Sequence, residues 1–357
     1  MITIDARWLN TSGMGTYLRN ILPGVIAAFP DRQFCLLGDQ AVLSTLDVAK
    51  RSNVRLIGVK ALMYSLAEQL ELPGKIPRET RLFWATHYNI PLFYRGKMLV
   101  TVYDLFHLAM PELVGGWHKR LYAKTMFGAV HRRAAAIITI SQFTKNEFIR
   151  FTGNATQPIY PIPLGVADAW FHIPPSARPC PNKYILYVGN VKPHKNLRAL
   201  VKAFASICDK IPHNLVIVGK KEGFITGDET VAREAERLGG RVQFTGYVDD
   251  ERLHQYFAHA GALAFPSLYE GFGFPPLEAM AAGCPALVST AASLPEICGD
   301  AALYCDPHRP EDIASKLLEL LTDEALRAEL RRKGLVRARA FTWERCVNQT
   351  CDVIREL

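Results

Sequence analysis

Three features of the sequence predict an α/β protein made of two doubly wound parallel-sheet domains. The chain has 357 residues, more than one hydrophobic core ordinarily serves. Short β-branched apolar runs alternate with longer stretches of helical spacing, and this alternation occurs twice. Between the two series lies a proline-crowded segment, residues 157–182, which can continue neither a helix nor a central strand.

The first series opens with "MITIDARWL" (1–9) and "QFCLLGD" (33–39), both read as strands. Between them "GTYLRNILPGVIAAF" (15–29) has helical apolar spacing that Pro23 is expected to kink or interrupt. "MLVTVYDL" (98–105) and "AAIITIS" (135–141) are nearly continuous apolar runs, as in strands buried on both faces. The stretch 111–134 joining them reads as one helix with basic and aromatic residues interleaved. The second series runs strand 184–190, helix 196–208, strand 214–220, helix 228–239, strand 242–248, helix 251–260 and strand 262–267. The last 35 residues are helical with a break near "FTW" (341–343). The expected domains are thus 1–165 and 183–340, with 166–182 as linker and a last helix, about 341–357, packing back on the first domain. Ligands of such sheets bind at the carboxyl ends of the strands.

A hydrophobic fraction of 49% and a charged fraction of 21% are ordinary for a globular chain. Asp5 and Arg7 stand where a secretory signal needs an apolar run, and no uninterrupted apolar segment is long enough to span a bilayer. A cytosolic protein is expected. The eight cysteines form no C-x-x-C pair, so buried free thiols are expected rather than disulfides or a metal site. The charge is uneven. Residues 1–165 hold 19 Lys/Arg against 10 Asp/Glu, whereas the remainder holds 23 against 24. A basic first half points to an anionic partner such as a phosphorylated substrate or a phospholipid surface, or simply to a solvated basic face.

Two stretches carry chemistry. In "YVGNVKPHKNLRAL" (187–200) a strand ends at Gly189 and a helix begins near Asn196, which leaves Asn190, Lys192, His194 and Lys195 in the turn above the sheet. Lysines beside free helix N-terminal amides cradle a diphosphate. In "EGFGFPPLEAMAAG" (270–283), Gly271 and Gly273 let backbone approach a ligand, and Pro275 and Pro276 start a helix. Glu278 is expected on that helix's first turn and Glu270 just before it, two carboxylates able to accept hydrogen bonds from vicinal hydroxyls. The acids of "VDDE" (248–251) fall at a helix start, where they serve as caps rather than metal ligands.

The pattern E-G-F-G-x-P-x-x-E-A-M-A-x-G-x-P, with "VGNVKPHKNL" upstream, resembles family 4 of the retaining glycosyltransferases. "GMGTYLRNIL" (13–22), "HYNIPL" (87–92), "TVYDLFHL" (101–108), "ITISQFTKNEF" (138–148), "FTGYVDDERL" (244–253) and "SLPEICGDAALYCDP" (293–307) agree in order, so the likeness covers nearly the whole chain. It implies the GT-B fold, in which two Rossmann-like domains face each other across a cleft. It also implies transfer of a hexose from a nucleotide diphosphate sugar with retention, by a front-face path that needs no metal or cofactor. Lys195 would contact the donor diphosphate, with Gly189, Asn190, Lys192 and His194 around it. Glu278, beside Leu277, would hold the ribose; Glu270 and the backbone of Gly271, Phe272, Gly273 and Phe274 would hold the sugar; Tyr247 and Val248 would lie near the base. Gly13 and Gly15 would add phosphate or acceptor contacts. Where relatives carry His-Asp this chain has Tyr103-Asp104, so Asp104 and His107 are the candidates for that catalytic neighbourhood.

GDP-mannose is the expected donor, with a UDP-hexose next. The acceptor is expected to be a saccharide or lipid-linked saccharide, reached at an anionic membrane surface through the basic first half, and no nucleic acid is expected as partner. Competing readings are a non-catalytic nucleotide-sugar-binding scaffold and a GT-B-fold epimerase, which should lack the two-glutamate loop. A dinucleotide dehydrogenase would need G-x-G-x-x-G where this chain offers only G-x-G.

Overall fold

A computed structural model of the protein describes residues 1–219 and 229–357, which form two units: Met1–Gly165 with Thr342–Leu357, and Val166–Phe341. The expected helix 228–239 and the end of strand 214–220 fall partly outside the described residues.

In the first unit seven strands form one parallel sheet in the order β3-β2-β1-β4-β5-β6-β7. They are β1 (Ile2–Asp5), β2 (Phe34–Gly38), β3 (Val54–Gly58), β4 (Leu82–Ala85), β5 (Met98–Val102), β6 (Ala136–Thr139) and β7 (Ile159–Pro161). β1 pairs with β2 on one side and β4 on the other, Ile2 lying opposite both Phe34 and Leu82. The order reverses there, so β1 and β4 mark the switch point of the sheet. The connecting helices include α1 (Ser12–Ala28), α2 (Leu66–Lys75), α3 (Phe106–Ala109), α4 (Trp117–Arg133) and α5 (Gln142–Thr152).

Three expectations are corrected. α1 runs without interruption through Pro23, because Leu18, Ile21, Leu22, Val25 and Ile26 on both sides of it are buried. That burial outweighs the roughly 3 kcal/mol an internal proline costs. The stretch 111–134 is not one helix: Gly115 (φ 68°) and Gly116 (φ 82°) end the short helix Pro111–Val114, and α4 starts afresh at Trp117. Residues 166–182 are not a free linker but part of the second unit. Trp170 is buried there, its ring 4.1 Å from His254 and 5.1 Å from Phe257.

The second unit holds a six-stranded parallel sheet among the described residues, in the order β10-β9-β8-β11-β12-β13. Its elements in chain order are β8 (Tyr184–Val188), α6 (Leu197–Ile207), β9 (Asn214–Val218), α7 (Glu229–Arg237), β10 (Val242–Gly246), α8 (Asp250–His259), β11 (Ala262–Phe265), α9 (Phe274–Ala281), β12 (Ala286–Ser289), α10 (Leu294–Cys298), β13 (Leu303–Cys305), α11 (Pro310–Thr322) and α12 (Glu324–Ala338). Asp249 caps α8 by accepting from the Arg252 amide at 2.8 Å. The last helix, α13 (Trp343–Glu356), belongs to the first unit, where it packs on α1 with the Trp343 ring 6.4 Å from that of Tyr17. All eight cysteines are buried and unpaired, and burial pushes Cys284 and Cys298 up to about 12.

Gly15 lies in the first turn of α1, where a Cβ would stand 2.4 Å from the Leu9 carbonyl oxygen. Backbone cannot yield as a side-chain tip can. Gly15→Ala is therefore expected to lower stability by about 2 kcal/mol or more, read as a fall in thermal midpoint without ligand.

Candidate active site

The carboxyl ends of β8 and β11 adjoin because the two strands pair, Ile185 opposite Ala262. The chain leaving β8 turns through a short 3₁₀ segment, Pro193–Lys195, and ends it on Asn196 in the left-handed conformation (φ 59°, ψ 32°). The Asn196 side-chain amide donates to the Pro266 carbonyl at 3.0 Å and the Pro307 carbonyl at 2.7 Å. The Leu268 amide donates to the His194 carbonyl at 2.7 Å. These bonds fix the phosphate-turn candidate against the loop after β11.

That fixing brings together two residues 75 apart in sequence. Lys195 Nζ lies 2.6 Å from Glu270 Oε1 and 2.8 Å from Oε2, and 5.3 Å from the centre of the Phe265 ring. The pair is mostly withdrawn from water, with side-chain exposures of 19% and 12%. Ser293 Oγ reaches the Glu270 carbonyl at 2.9 Å and the Phe272 carbonyl at 2.7 Å, holding the loop from behind. Gly273 adopts φ 122°, which favours glycine, and a Cβ there would meet Leu294 Cδ2 at 2.8 Å. Asn196 and Ser293 are absent from the sequence-derived candidates. The signal for Ser293 was its place in the motif stretch 293–307.

α9 begins at Phe274, one residue ahead of the prolines, so Glu278 opens its second turn rather than lying on the first. Glu278 keeps partial surface exposure. Even so, the protein atoms crowding its carboxyl, with a smaller contribution from Asp250, push it up to about 8. Leu277 and Phe272 are buried, so their side chains serve the core. Asn190, Lys192 and Tyr247 are exposed above the sheet, and Gly189 follows the last residue of β8. Val248 follows Tyr247 in the turn before α8.

The first unit gathers its polar groups at the ends of β1, β4 and β5. Arg7 is held by Asp5 (2.8 and 2.7 Å) and by buried Glu68 (2.6 Å). Burial disfavours its charge, but the two carboxylates more than offset that and raise it. Asn89 donates to Glu68 at 2.7 Å and accepts from the Tyr122 hydroxyl. His87, stacked 4.1 Å from Trp8, is pushed down to about 3 by burial and stays neutral. Asp104 accepts from the Phe106 amide at 2.9 Å and so starts α3, which carries His107 with its ring 6.3 Å from Tyr88. The Tyr103 hydroxyl is buried, its ring 5.7 Å from that of Tyr17, and has no hydrogen-bond partner among the described residues. The Tyr103 hydroxyl thus points inward, although Tyr103, Asp104 and His107 all keep partial exposure. Gly13 and Gly15 lie inside α1, whose N-cap Thr11 donates its hydroxyl to the Trp8 carbonyl instead of capping the helix. Among the described residues no group of three His, Cys, Asp or Glu has metal-site geometry.

A carboxyl raised from 4.5 to about 8 favours the protonated folded state. From pH 4.5 to 8 the unfolded chain ionises while the folded one does not, so stability falls as pH rises through that window. Glu278→Gln removes this loss. The variant without ligand is expected to match wild type near pH 4.5 and to exceed it by about 2 kcal/mol above pH 8, a figure below the full shift because the side chain keeps contact with water. Denaturant melts across pH test this.

Residues 168–337 match the family described as glycosyl transferases group 1. The chain is 31% identical over 289 residues to O-antigen chain mannosyltransferase B of Escherichia coli, covering 76% of this chain and 74% of that protein. Among solved structures it resembles sucrose-phosphate synthase from Thermosynechococcus elongatus (TM-score 0.79, 21% identity, 99% and 98% of the two chains). It also resembles Anabaena Alr3699/HepE in complex with UDP-glucose (TM-score 0.76, 18% identity, 100% and 99%). These likenesses identify the fold as GT-B. The chain belongs to the glycosyl transferases group 1 family and is a glycosyltransferase.

Proposed function

We propose that this glycosyltransferase moves mannose from GDP-mannose to a saccharide or lipid-linked saccharide during surface-polysaccharide assembly, with retention and without a metal ion. The observation that carries this reading is the contact of Lys195 with Glu270 at the carboxyl ends of β8 and β11, with Glu278 on the adjoining α9. One cation serves a diphosphate, and two carboxylates serve the hydroxyls of two sugar rings. The identity to an O-antigen chain mannosyltransferase supports mannose, and the UDP-glucose complex of HepE keeps a UDP-hexose as the second donor. The intact two-glutamate loop argues against an epimerase, and the intact Lys195 against a decayed scaffold.

In this reading the acceptor oxygen bonds to the anomeric carbon on the face from which the diphosphate leaves. The acceptor's proton passes to the leaving phosphate oxygen, and the bond's electron pair departs with the nucleotide. Lys195 stabilises the growing charge, with Lys192 nearby. Asp104 and His107 are the first unit's candidates for the catalytic neighbourhood.

The first unit supports an anionic membrane surface as the place of transfer. α4 buries Met126, Phe127 and Val130 but leaves Trp117 and Leu121 more than half exposed, beside exposed Lys119, Arg120 and Lys124. Leu62, Leu66, Leu70 and Phe93 are likewise exposed on neighbouring segments. The Tyr64 and Tyr122 rings, 5.9 Å apart, tie the loop before α2 to α4, and Arg133 bonds the Leu92 carbonyl at 2.6 Å. Exposed apolar side chains together with the lysines and arginine of α4 fit the interface of an acidic bilayer. No helix among the described residues is long and apolar enough to cross a membrane.

A thermal-shift screen against GDP, UDP, ADP and their sugar conjugates tests the donor: GDP-mannose is expected to give the largest rise. Glu278→Ala should weaken GDP binding about tenfold or more, whereas Glu270→Ala should lower transfer without weakening GDP binding. Equal loss of GDP affinity in both variants refutes that division. Replacing Trp117 and Leu121 together by Glu is expected to reduce binding to phosphatidylglycerol vesicles about tenfold without changing GDP binding. Unchanged vesicle binding rejects this surface.

A further inference from the structure

Lys195 and Glu270 occupy one another. Both carboxylate oxygens lie within 2.8 Å of the ammonium, and neighbouring hydrogen bonds hold the segments that carry them. The Leu268 amide is bonded to the His194 carbonyl, the Asn196 side chain to Pro266 and Pro307, and Ser293 to the Glu270 carbonyl. A diphosphate reaching for Lys195 therefore meets an ammonium already claimed, beside a carboxylate that is left short of donors once its partner is shared. A carboxylate largely withdrawn from water tolerates that poorly.

From this we infer that Glu270 is a selectivity residue that sets the site against a bare nucleoside diphosphate and in favour of one carrying a sugar, an inference that rests on the nucleotide-sugar reading. A bare diphosphate takes Lys195 and gives Glu270 nothing in return. A sugar diphosphate takes Lys195 but brings hydroxyl donors that occupy the lone pairs Lys195 gives up. The exchange balances for the donor and not for the leaving nucleotide. Glu270 thus also weakens retention of the product once the sugar has gone, by re-forming its bond to Lys195. Simple repulsion between Glu270 and phosphate predicts the same sign for one variant, but only the exchange requires Lys195.

Calorimetric titration of the full chain with GDP and with UDP tests this in wild type, Glu270→Gln, Lys195→Gln and the double variant, with Glu270→Ala as the second variant should the glutamine side chain still engage Lys195. Thermal melts confirm folding. Glu270→Gln is expected to bind the bare nucleotide about 3- to 10-fold more tightly than wild type, the range of a partly buried ion pair, and Lys195→Gln more weakly. In the Lys195→Gln background the Glu270→Gln gain is expected to vanish. Glu270 variants that bind the bare nucleotide no more tightly overturn the inference, as does a gain that persists undiminished without Lys195. A wild-type chain that binds neither bare nucleotide and neither GDP-mannose nor UDP-glucose removes the donor reading itself, an outcome visible before any variant is measured.

Discussion

A single residue in the left-handed conformation, Asn196, ties the donor-site candidates into one body. Its backbone ends the 3₁₀ turn and starts α6, while its side-chain amide spans to two carbonyls from distant loops. Asparagine suits the position because it tolerates αL at low cost and carries two donors there. Aspartate would offer no donors to those carbonyls, and glycine no side chain at all. Without this bridge the turn bearing Lys195 would be held to the loop bearing Glu270 chiefly by the Leu268 amide on the His194 carbonyl. With it, a cation and a carboxylate meet in a partly dry setting, where charge is worth most.

The neighbouring contacts extend the same logic. Ser293 backs the glycine-rich loop, so Gly271 and Gly273 form a held edge and not a slack one. Glu278 stands on α9 in surroundings that discourage its charge, a state that hydroxyl donors from a ligand would relieve. Among the described residues, one carboxylate thus pairs with a cation and the other does not. That difference in partnership separates two glutamates that look equivalent in sequence.

The first unit is organised around a different constraint. Arg7 carries a buried charge that Asp5 and Glu68 satisfy, and the chain of partners continues through Asn89 to Tyr122 on α4. The network lies at the reversal of strand order, where an open α/β sheet leaves space for a ligand. It also braces α4 and the segment before α2, the elements that carry the exposed apolar and basic residues. A rigid interior and a greasy, cationic exterior are built from the same pieces.

The sequence by itself determined that two parallel-sheet units exist, because strands buried on both faces must be apolar throughout and helices between them must follow their own period. It also marked Lys195, Glu270 and Glu278, through the strand-to-helix turns that carry them and the resemblance of those turns to the family's pattern. The strands β3, β4, β7, β12 and β13 were not read from the sequence: β4 and β12 are buried but only four residues long, and β3, β7 and β13 are only partly buried. Nor was the continuity of α1 through Pro23, because propensity is local while the burial that overrides it is not. The placing of 166–182 in the second unit depended on Trp170 finding His254 and Phe257 more than 80 residues away. Only tertiary structure decided that Lys195 and Glu270 touch, that Asn196 and Ser293 hold them, and that the Tyr103 hydroxyl is buried. Those outcomes depend on strand order, and strand order is set by which distant pairings bury the most surface.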